Sequence, residues 1–153
     1  MLEWMDDGKR SPIHAPGVLI RMMTPADLAT VTRVDAAAFP PLWQNSLDAL
    51  RQAYTQSAIA TVAERDEGIV GYQICTKNPV GGHLARLAVR PEAQGNGVGT
   101  ALVKDLQERG IRRGYARLSV NTQSDNAVSM RLYRKVGFRQ TGEHYPVYTY
   151  QVP

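Results

Sequence analysis

A glycine-rich segment at residues 94–100 is the part of this sequence best suited to binding an anion. It reads Gln94, Gly95, Asn96, Gly97, Val98, Gly99 and Thr100. Glycines allow consecutive backbone N–H groups to turn toward a ligand and let the ligand approach the main chain. The segment follows a strand-like run and opens a helix-like run, so the helix dipole adds partial positive charge at the same place. The pattern predicts a pyrophosphate-binding loop.

Two common phosphate-binding signatures fit this loop poorly. A nucleoside-triphosphate loop requires a lysine between the last glycine and the hydroxyl residue, and none precedes Thr100. A dinucleotide fingerprint requires a glycine where Thr100 stands and an acidic residue at the end of the next strand. That strand ends in Val120 followed by Asn121. Neither a nucleoside triphosphate nor NAD is therefore the expected ligand.

A second candidate segment is a predicted helix near residues 126–136, stopped by Gly137. Asn126 and Tyr133 are seven residues apart, which places them on one helix face about 10 Å apart along the axis. The predicted core stripe lies on another face, at Val128, Leu132 and Val136. A polar residue and a tyrosine on the same non-core face suit a long, thin ligand.

Together these segments resemble the GNAT superfamily of N-acetyltransferases. The strand Leu87-Ala88-Val89-Arg90-Pro91 followed by the glycine loop matches that family's cofactor motif. The run from Asn126 through Tyr133 to Gly137-Phe138 matches its second motif, with Ser129 where alanine is common. The resemblance implies an acetyl-CoA-dependent N-acyltransferase that acts by direct attack of a primary amine. It also implies that Asn126 binds the CoA arm and that Tyr133 protonates the departing thiolate.

The implied cofactor contacts can be stated residue by residue. The main chain of the strand before the loop would contact the pantetheine arm, and the loop would bind the pyrophosphate. The expected cofactor-binding residues are Leu87, Ala88, Val89, Gln94, Gly95, Asn96, Gly97, Val98, Gly99, Thr100, Asn126 and Tyr133.

The element order predicts a mixed α/β domain of the GNAT fold over residues 17–153. We expect four helices and a mostly antiparallel sheet of about seven strands. The fourth and fifth predicted strands, residues 84–89 and 116–120, flank a helical crossover, so they should be parallel. By resemblance they should also splay apart. Residues 1–16 are polar and interrupted by prolines, which favours an N-terminal arm outside the domain.

The acceptor side is expected at two segments, again by resemblance. One is the loop at residues 39–43, with Phe39 and Trp43. The other is a closing hairpin with Glu143, His144 and Tyr145. The proton released by the amine could pass to Glu143, to His83 or to a water chain, or the amine could arrive neutral.

The class of acceptor is left open between a small amine and a peptide amine. The phrase Ala38-Phe39-Pro40 faintly resembles enzymes that acetylate ribosomal proteins. Those enzymes tend to carry a glutamate in the strand before the second site helix, where this chain has Ser119.

Composition restricts the remaining function classes. Hydrophobic residues make up 43% and charged residues 21%, as in globular domains, and the net charge is +4. The basic residues do not interleave with aromatic residues, so no nucleic-acid partner is expected. With one cysteine, Cys75, an intrachain disulfide is impossible. The three histidines, His14, His83 and His144, are too scattered to predict a metal site.

Location and assembly follow as further expectations. No signal peptide and no apolar run of membrane-spanning length is evident, so a cytoplasmic protein without a membrane partner is expected. It would be a monomer or a homodimer. The alternative function is a non-catalytic acyl-CoA-binding regulatory domain with the same fold.

Overall fold

A computed structural model describes residues 1–9, 15–122 and 127–141. The strands are β1 (Leu2–Met5), β2 (Leu19–Met22), β3 (Ile59–Arg65), β4 (Gly68–Asn78), β5 (Gly81–Val89), β6 (Arg117–Val120) and β7 (Arg139–Gln140). The helices are α1 (Leu28–Ala38), α2 (Leu47–Thr55), α3 (Val98–Arg112) and α4 (Ala127–Lys135). Single 3-10 turns lie at Pro25–Asp27, Pro41–Trp43 and Pro91–Ala93.

All seven of these strands belong to one sheet, in the order β2-β3-β4-β5-β6-β1-β7. Every neighbouring pair is antiparallel except β5 and β6, which are parallel. The predicted mixed, mostly antiparallel sheet and its parallel pair are therefore confirmed. The parallel strands are those predicted as fourth and fifth, and they count as β5 and β6 because a strand precedes them at the N-terminus.

Local sequence signals place the helix starts. Thr24 and Asp27 form a capping box, in which the Thr24 N–H donates to the Asp27 carboxylate (2.8 Å). Ser46 caps α2 by accepting from the N–H of Ala49 (3.1 Å). These caps satisfy N–H groups that a helix cannot satisfy internally.

The helices cover the two faces of the sheet with separate apolar clusters. On one face, α1 and α2 pack on the sheet through fully buried residues such as Val31, Val34 and Leu50, with Tyr72 beneath them. On the other face, apolar residues of α3 and α4 pack against β1, β5 and β6. Among residues 1–9, 15–122 and 127–141, none of the helices combines the length and the hydropathy of a membrane-spanning segment.

The expectation that residues 1–16 lie outside the domain is wrong for β1. This strand pairs with β6 on one side and β7 on the other. Leu2 and Trp4 are buried in the α3–α4 core, whereas Glu3 is half-buried and Met5 exposed. Alternating burial is the strand period of two. The polar residues that follow obscured this four-residue pattern in the sequence.

The predicted core face of α4 is wrong at Val128. That side chain is 68% exposed, whereas Met130 and Tyr133 are buried and Leu132 is half-buried. The helix therefore turns its Met130–Tyr133 side to the sheet, because Trp4 and Phe138 supply an apolar surface there. The predicted last strand, with Tyr148, Tyr150 and Val152, lies outside the described residues.

Candidate active site

A gap opens in the sheet where β5 and β6 part. The two strands pair at only three positions, ending with Leu84 opposite Val120. Strand β6 ends at Val120, whereas β5 continues to Val89. An irregularity between Ile74 and Cys75 in the β4–β5 ladder leaves Ala85 without a partner, and such bulges redirect a strand. Beyond Leu84, β5 thus has β4 on one side and no β6 residue paired on the other.

The glycine loop lies at the end of this gap. Gly95 and Gly97 have φ values of 84° and 83°, in the left-handed region that glycine adopts without strain. Gly97 is the N-cap of α3. Within the described residues, the N–H groups of residues 95–100 donate no main-chain hydrogen bond, and Ala101 makes the first helical bond, to Gly97 (2.9 Å). The loop therefore presents free donors at a helix N-terminus, which fits a pyrophosphate.

The residues flanking these donors anchor the loop to the sheet. The side-chain amide of Gln94 donates to the carbonyl of Val89 (3.0 Å), closing the turn between β5 and α3. Val98 is buried in a cluster with Ala93 and Leu102, while Asn96 is exposed and Thr100 half-buried. Anchoring by Val98 holds the donors in place while the polar residues stay accessible.

Close packing brings α4 to the start of α3. A Cβ atom built on Gly99 would lie 2.9 Å from the Leu132 Cδ1 atom, so only glycine allows this approach without a shift. The contact places the residue after Leu132, the predicted proton donor Tyr133, near the same end of the sheet.

Tyr133 is buried in the cluster that contains Leu84 and Val120, the last pair before the gap. Its ring centroid lies 5.4 Å from that of Phe138. Burial raises the pKa of the hydroxyl to about 12, because a phenolate would lose its hydration. The hydroxyl therefore remains protonated at neutral pH. Asn126 lies outside the described residues, so its predicted proximity to Tyr133 stays a prediction.

His83 and Ser119 form a polar pair across the parallel strands. They stand opposite each other in the register, one position before the gap opens. The His83 Nδ1 atom lies 2.8 Å from the Ser119 hydroxyl oxygen. The ring is half-buried, and burial lowers the pKa of His83 below its usual value. The imidazole is accordingly neutral at pH 7.

A buried ion pair that was not predicted from the sequence links α1 to β5. Asp35 is fully buried and accepts hydrogen bonds from the Arg86 Nε (3.0 Å), the Asn45 N–H (2.7 Å) and the Tyr72 hydroxyl. A second guanidinium nitrogen of Arg86 donates to the other carboxylate oxygen (3.1 Å). The carboxylate and burial also raise the pKa of Tyr72 far above its usual range, with burial the larger cause. A charged residue within the apolar stripe of α1 was the available sequence signal.

The same arginine holds the predicted acceptor loop. Its guanidinium donates to the Trp43 carbonyl (2.7 Å) and lies 3.7 Å from the centre of the Phe39 ring. Phe39 is half-buried, whereas Trp43 is 51% and Leu42 is 93% exposed. The loop therefore presents apolar side chains to solvent beside β5. Glu143, His144 and Tyr145, the other predicted acceptor segment, lie outside the described residues.

Comparison with known protein families decides the assignment. The model of the Acetyltransferase (GNAT) family matches residues 28–138. The chain belongs to the GNAT acetyltransferase family. The match begins with α1 and ends at Phe138, so it spans the gap, the glycine loop, Tyr133 and the Asp35–Arg86 pair.

Related sequences carry acetyltransferase names. An uncharacterized N-acetyltransferase of Methanocaldococcus jannaschii is 29% identical over 123 residues, which cover 80% of this chain and 78% of the relative. A mycothiol acetyltransferase of Saccharomonospora viridis is 31% identical over 144 residues and 80% of this chain. This GNAT chain spans less than half of that enzyme's length (46%).

Solved structures share the fold. The ribosomal-protein-S18-alanine N-acetyltransferase of Escherichia coli superposes with a TM-score of 0.75 at 21% identity, covering 85% of this chain and 84% of that one. The PaiA N-acetyltransferase of Thermoplasma acidophilum, solved with coenzyme A, superposes with a TM-score of 0.75 at 17% identity. The superposition covers 83% of this chain and 92% of that one. At these identities the similarity shows the fold alone.

Proposed function

We propose that this GNAT acetyltransferase transfers the acetyl group of acetyl-CoA to a primary amine by direct attack. The observation that carries the proposal is the combination of the β5–β6 gap with the free N–H groups of residues 95–100 at its end. A long ligand that ends in a pyrophosphate and a nucleotide matches a slot that ends in an anion site. The coenzyme A bound to the PaiA enzyme of the same fold supports this choice of ligand.

Acetyl-CoA supplies an acetyl thioester, and the described residues are suited to hold it. The backbone donors from Gly95 to Thr100 would bind the pyrophosphate. The main chain of Leu87, Ala88 and Val89 would run beside the pantetheine arm as an added strand, because β6 does not pair there. Asn126 would bind the CoA arm, as the family resemblance implies.

The reaction consists of one bond formed and one broken at the acyl carbon. The amine nitrogen attacks with its lone pair, a C–N bond forms, and the C–S bond breaks. Tyr133 would donate its hydroxyl proton to the departing thiolate, for which its raised pKa keeps the proton available. The amine must lose one proton as the amide forms.

Phe39 and Trp43 would contact the acceptor. Their loop lies over β5 and is held there by Arg86, on the strand that borders the gap. The exposed apolar side chains of this loop favour an acceptor with an apolar group near its amine. Glu143 and Tyr145 stay candidates for the same site, as does His83. Both a small amine and a peptide amine are compatible with an open loop of this kind.

The test is release of the CoA thiol from acetyl-CoA in the presence of a panel of small primary amines, peptide amines and alcohols. We expect release with at least one primary amine, with a kcat/KM that rises from neutral to alkaline pH as the free amine becomes available. Binding of acetyl-CoA without release by any acceptor would favour the regulatory-domain alternative. A preference for alcohols would overturn the N-acetyl assignment.

A further inference from the structure

The proposed reaction needs a group that takes a proton from the acceptor. An alkylammonium ion has a pKa of about 10.4 and cannot attack until it is deprotonated. We propose that His83 is this general base and that Ser119 is the positioning residue that orients its ring. The inference rests on the proposed function, since it concerns the amine acceptor of that reaction.

The position of His83 in the sheet supports the role. His83 precedes Leu84, whose pairing with Val120 is the last before the strands part, so its ring lies at the closed end of the gap. Arg86, which holds the acceptor loop, is three residues further along the same strand. The ring is half-buried, so it is accessible to a ligand in part.

Ser119 determines which ring nitrogen is free. The Nδ1 atom is 2.8 Å from the Ser119 hydroxyl, and no other hydrogen bond of the ring is found among the described residues. If Nδ1 carries the hydrogen and donates it to Ser119, the Nε2 lone pair is available to accept a proton. The opposite tautomer would leave Nε2 protonated and unable to act as a base.

Burial is the main influence on the pKa of the His83 ring, which has charged residues on nearby strands. Thr76 stands opposite His83 on β4 and is uncharged. Three charged residues lie on the same sheet face as Ser119. Arg117 is two residues before it on β6, and Glu3 of β1 is directly opposite it. Arg139 of β7 is in turn opposite Glu3. Arg86 of β5 is paired with Asp35. Burial lowers the pKa of His83, so the neutral form exists at pH 7 and is lost only below the usual value of about 6.5.

The proton step balances simply. The Nε2 atom of neutral His83 takes one proton from the ammonium group and becomes imidazolium, and the freed amine attacks the thioester carbonyl. The imidazolium then returns its proton to water. The second proton, which the nitrogen loses as the amide forms, restores the hydroxyl of Tyr133 after that group has protonated the thiolate. Bases in such positions accelerate reactions by about 10²–10⁴-fold.

The first experiment is ¹⁵N NMR of the histidine rings in the full chain, with His83 assigned by comparison with His83→Gln. We expect a neutral ring at pH 7 with the hydrogen on Nδ1, a pKa below about 6.5, and loss of the single tautomer in Ser119→Ala. A ring with its hydrogen on Nε2 would overturn the proposal without any measurement of activity.

The second experiment measures kcat/KM against pH with the best amine of the panel. His83→Gln should lose about 10²–10⁴-fold at pH 7. Its kcat/KM should rise toward pH 10 more steeply than that of the wild type, because the amine then loses its proton unaided. Ser119→Ala should lose less. Thr76→Val removes only a long hydrogen bond to the His83 carbonyl (3.5 Å) and leaves the ring and Ser119 intact, so it should keep the wild-type profile. Stabilisation by acetyl-CoA should be retained in all three variants.

The two hypotheses fail differently. A wild-type protein that binds acetyl-CoA but releases CoA with no amine would refute the proposed function and with it the need for a base. An active wild type whose His83→Gln variant keeps both the rate and the pH profile would refute only the role of His83. If His83→Gln does not fold, His14→Gln and His144→Gln assign the His83 ring by elimination, and the tautomer in the wild type and the profile of Ser119→Ala decide the matter.

Discussion

The hydroxyl of Tyr133, which we propose as the proton donor, is kept protonated by burial. Its pKa of about 12 lies far above the working range. We predict that Tyr133→Phe lowers kcat by about 10²–10⁴-fold with acetyl-CoA affinity nearly unchanged. Phenylalanine preserves the contact with Phe138 and removes only the hydroxyl. Single-turnover kinetics would separate chemistry from product release, and an unchanged single-turnover rate would contradict the role.

Gly97 offers a second test at the scale of one residue. We predict that Gly97→Asp abolishes acetyl-CoA binding, because its carboxylate would repel a pyrophosphate held by the neighbouring N–H groups. Gly97→Asn is the matched control. It has the same size and meets the same φ of 83° at the N-cap, which asparagine and aspartate tolerate better than most residues. Calorimetric titration with acetyl-CoA should show a much greater loss for aspartate, and equal losses would place the phosphates elsewhere.

At the scale of elements, the Asp35–Arg86 pair joins α1, β5 and the loop before α2. Asp35 is 0% exposed, so removal of its partner leaves a buried charge. We predict that Arg86→Met lowers the free energy of unfolding by about 3–5 kcal/mol. Arg86→Lys keeps the charge but cannot donate two parallel hydrogen bonds to the Asp35 carboxylate. This variant should fold and show a raised KM for the amine, with acetyl-CoA binding retained.

An exposed ion pair provides the control for Arg86. Arg51 and Asp48 pair on the surface of α2 with exposed side chains. Arg51→Met should therefore change stability by less than about 1 kcal/mol. Urea unfolding of the four proteins measures the difference, and similar losses for Arg86→Met and Arg51→Met would show that the buried pair does not stabilise the junction.

Strand β1 is predicted to be an integral part of the sheet. Trp4 is 8% exposed and packs against Gly137, whose added Cβ would lie 3.2 Å from the indole. Trp4→Ala should cost about 3–5 kcal/mol and lower Tm by roughly 10 °C. Trp43→Ala, at the half-exposed tryptophan, should lower Tm by only a degree or two. Equal, small shifts in calorimetry would mean that β1 is dispensable.

At the scale of the whole molecule, binding of acetyl-CoA should raise the free energy of unfolding. Acetyl-CoA would contact β5, α3 and α4 at once, so it should stabilise the folded state as a unit. At a hundred times its Kd it should add about 2.7 kcal/mol of apparent stability. We predict that acetyl-CoA or CoA raises the Tm and that NADH or ATP at the same concentration leaves it unchanged. An unchanged Tm with millimolar CoA would contradict the proposed cofactor.

The sequence alone determined the features that depend on short segments. The element order from β2 to α4, the parallel pair, the helix caps and the glycine loop all follow from residues that are close neighbours in the chain. A cap involves residues three apart, and a left-handed glycine needs only its own backbone. These local signals sufficed for the family and the expected fold, which the sheet and the family match confirm.

The tertiary structure alone decided which distant residues meet. His83 and Ser119 are 36 residues apart in the chain, and Asp35 and Arg86 are 51 apart. No local pattern specifies such pairs, because strand register and helix docking bring them together only when the whole core packs. The insertion of β1 between β6 and β7 and the burial of Met130 instead of Val128 depend on the same packing. Burial against neighbours that are remote in sequence, rather than local propensity, selected these arrangements.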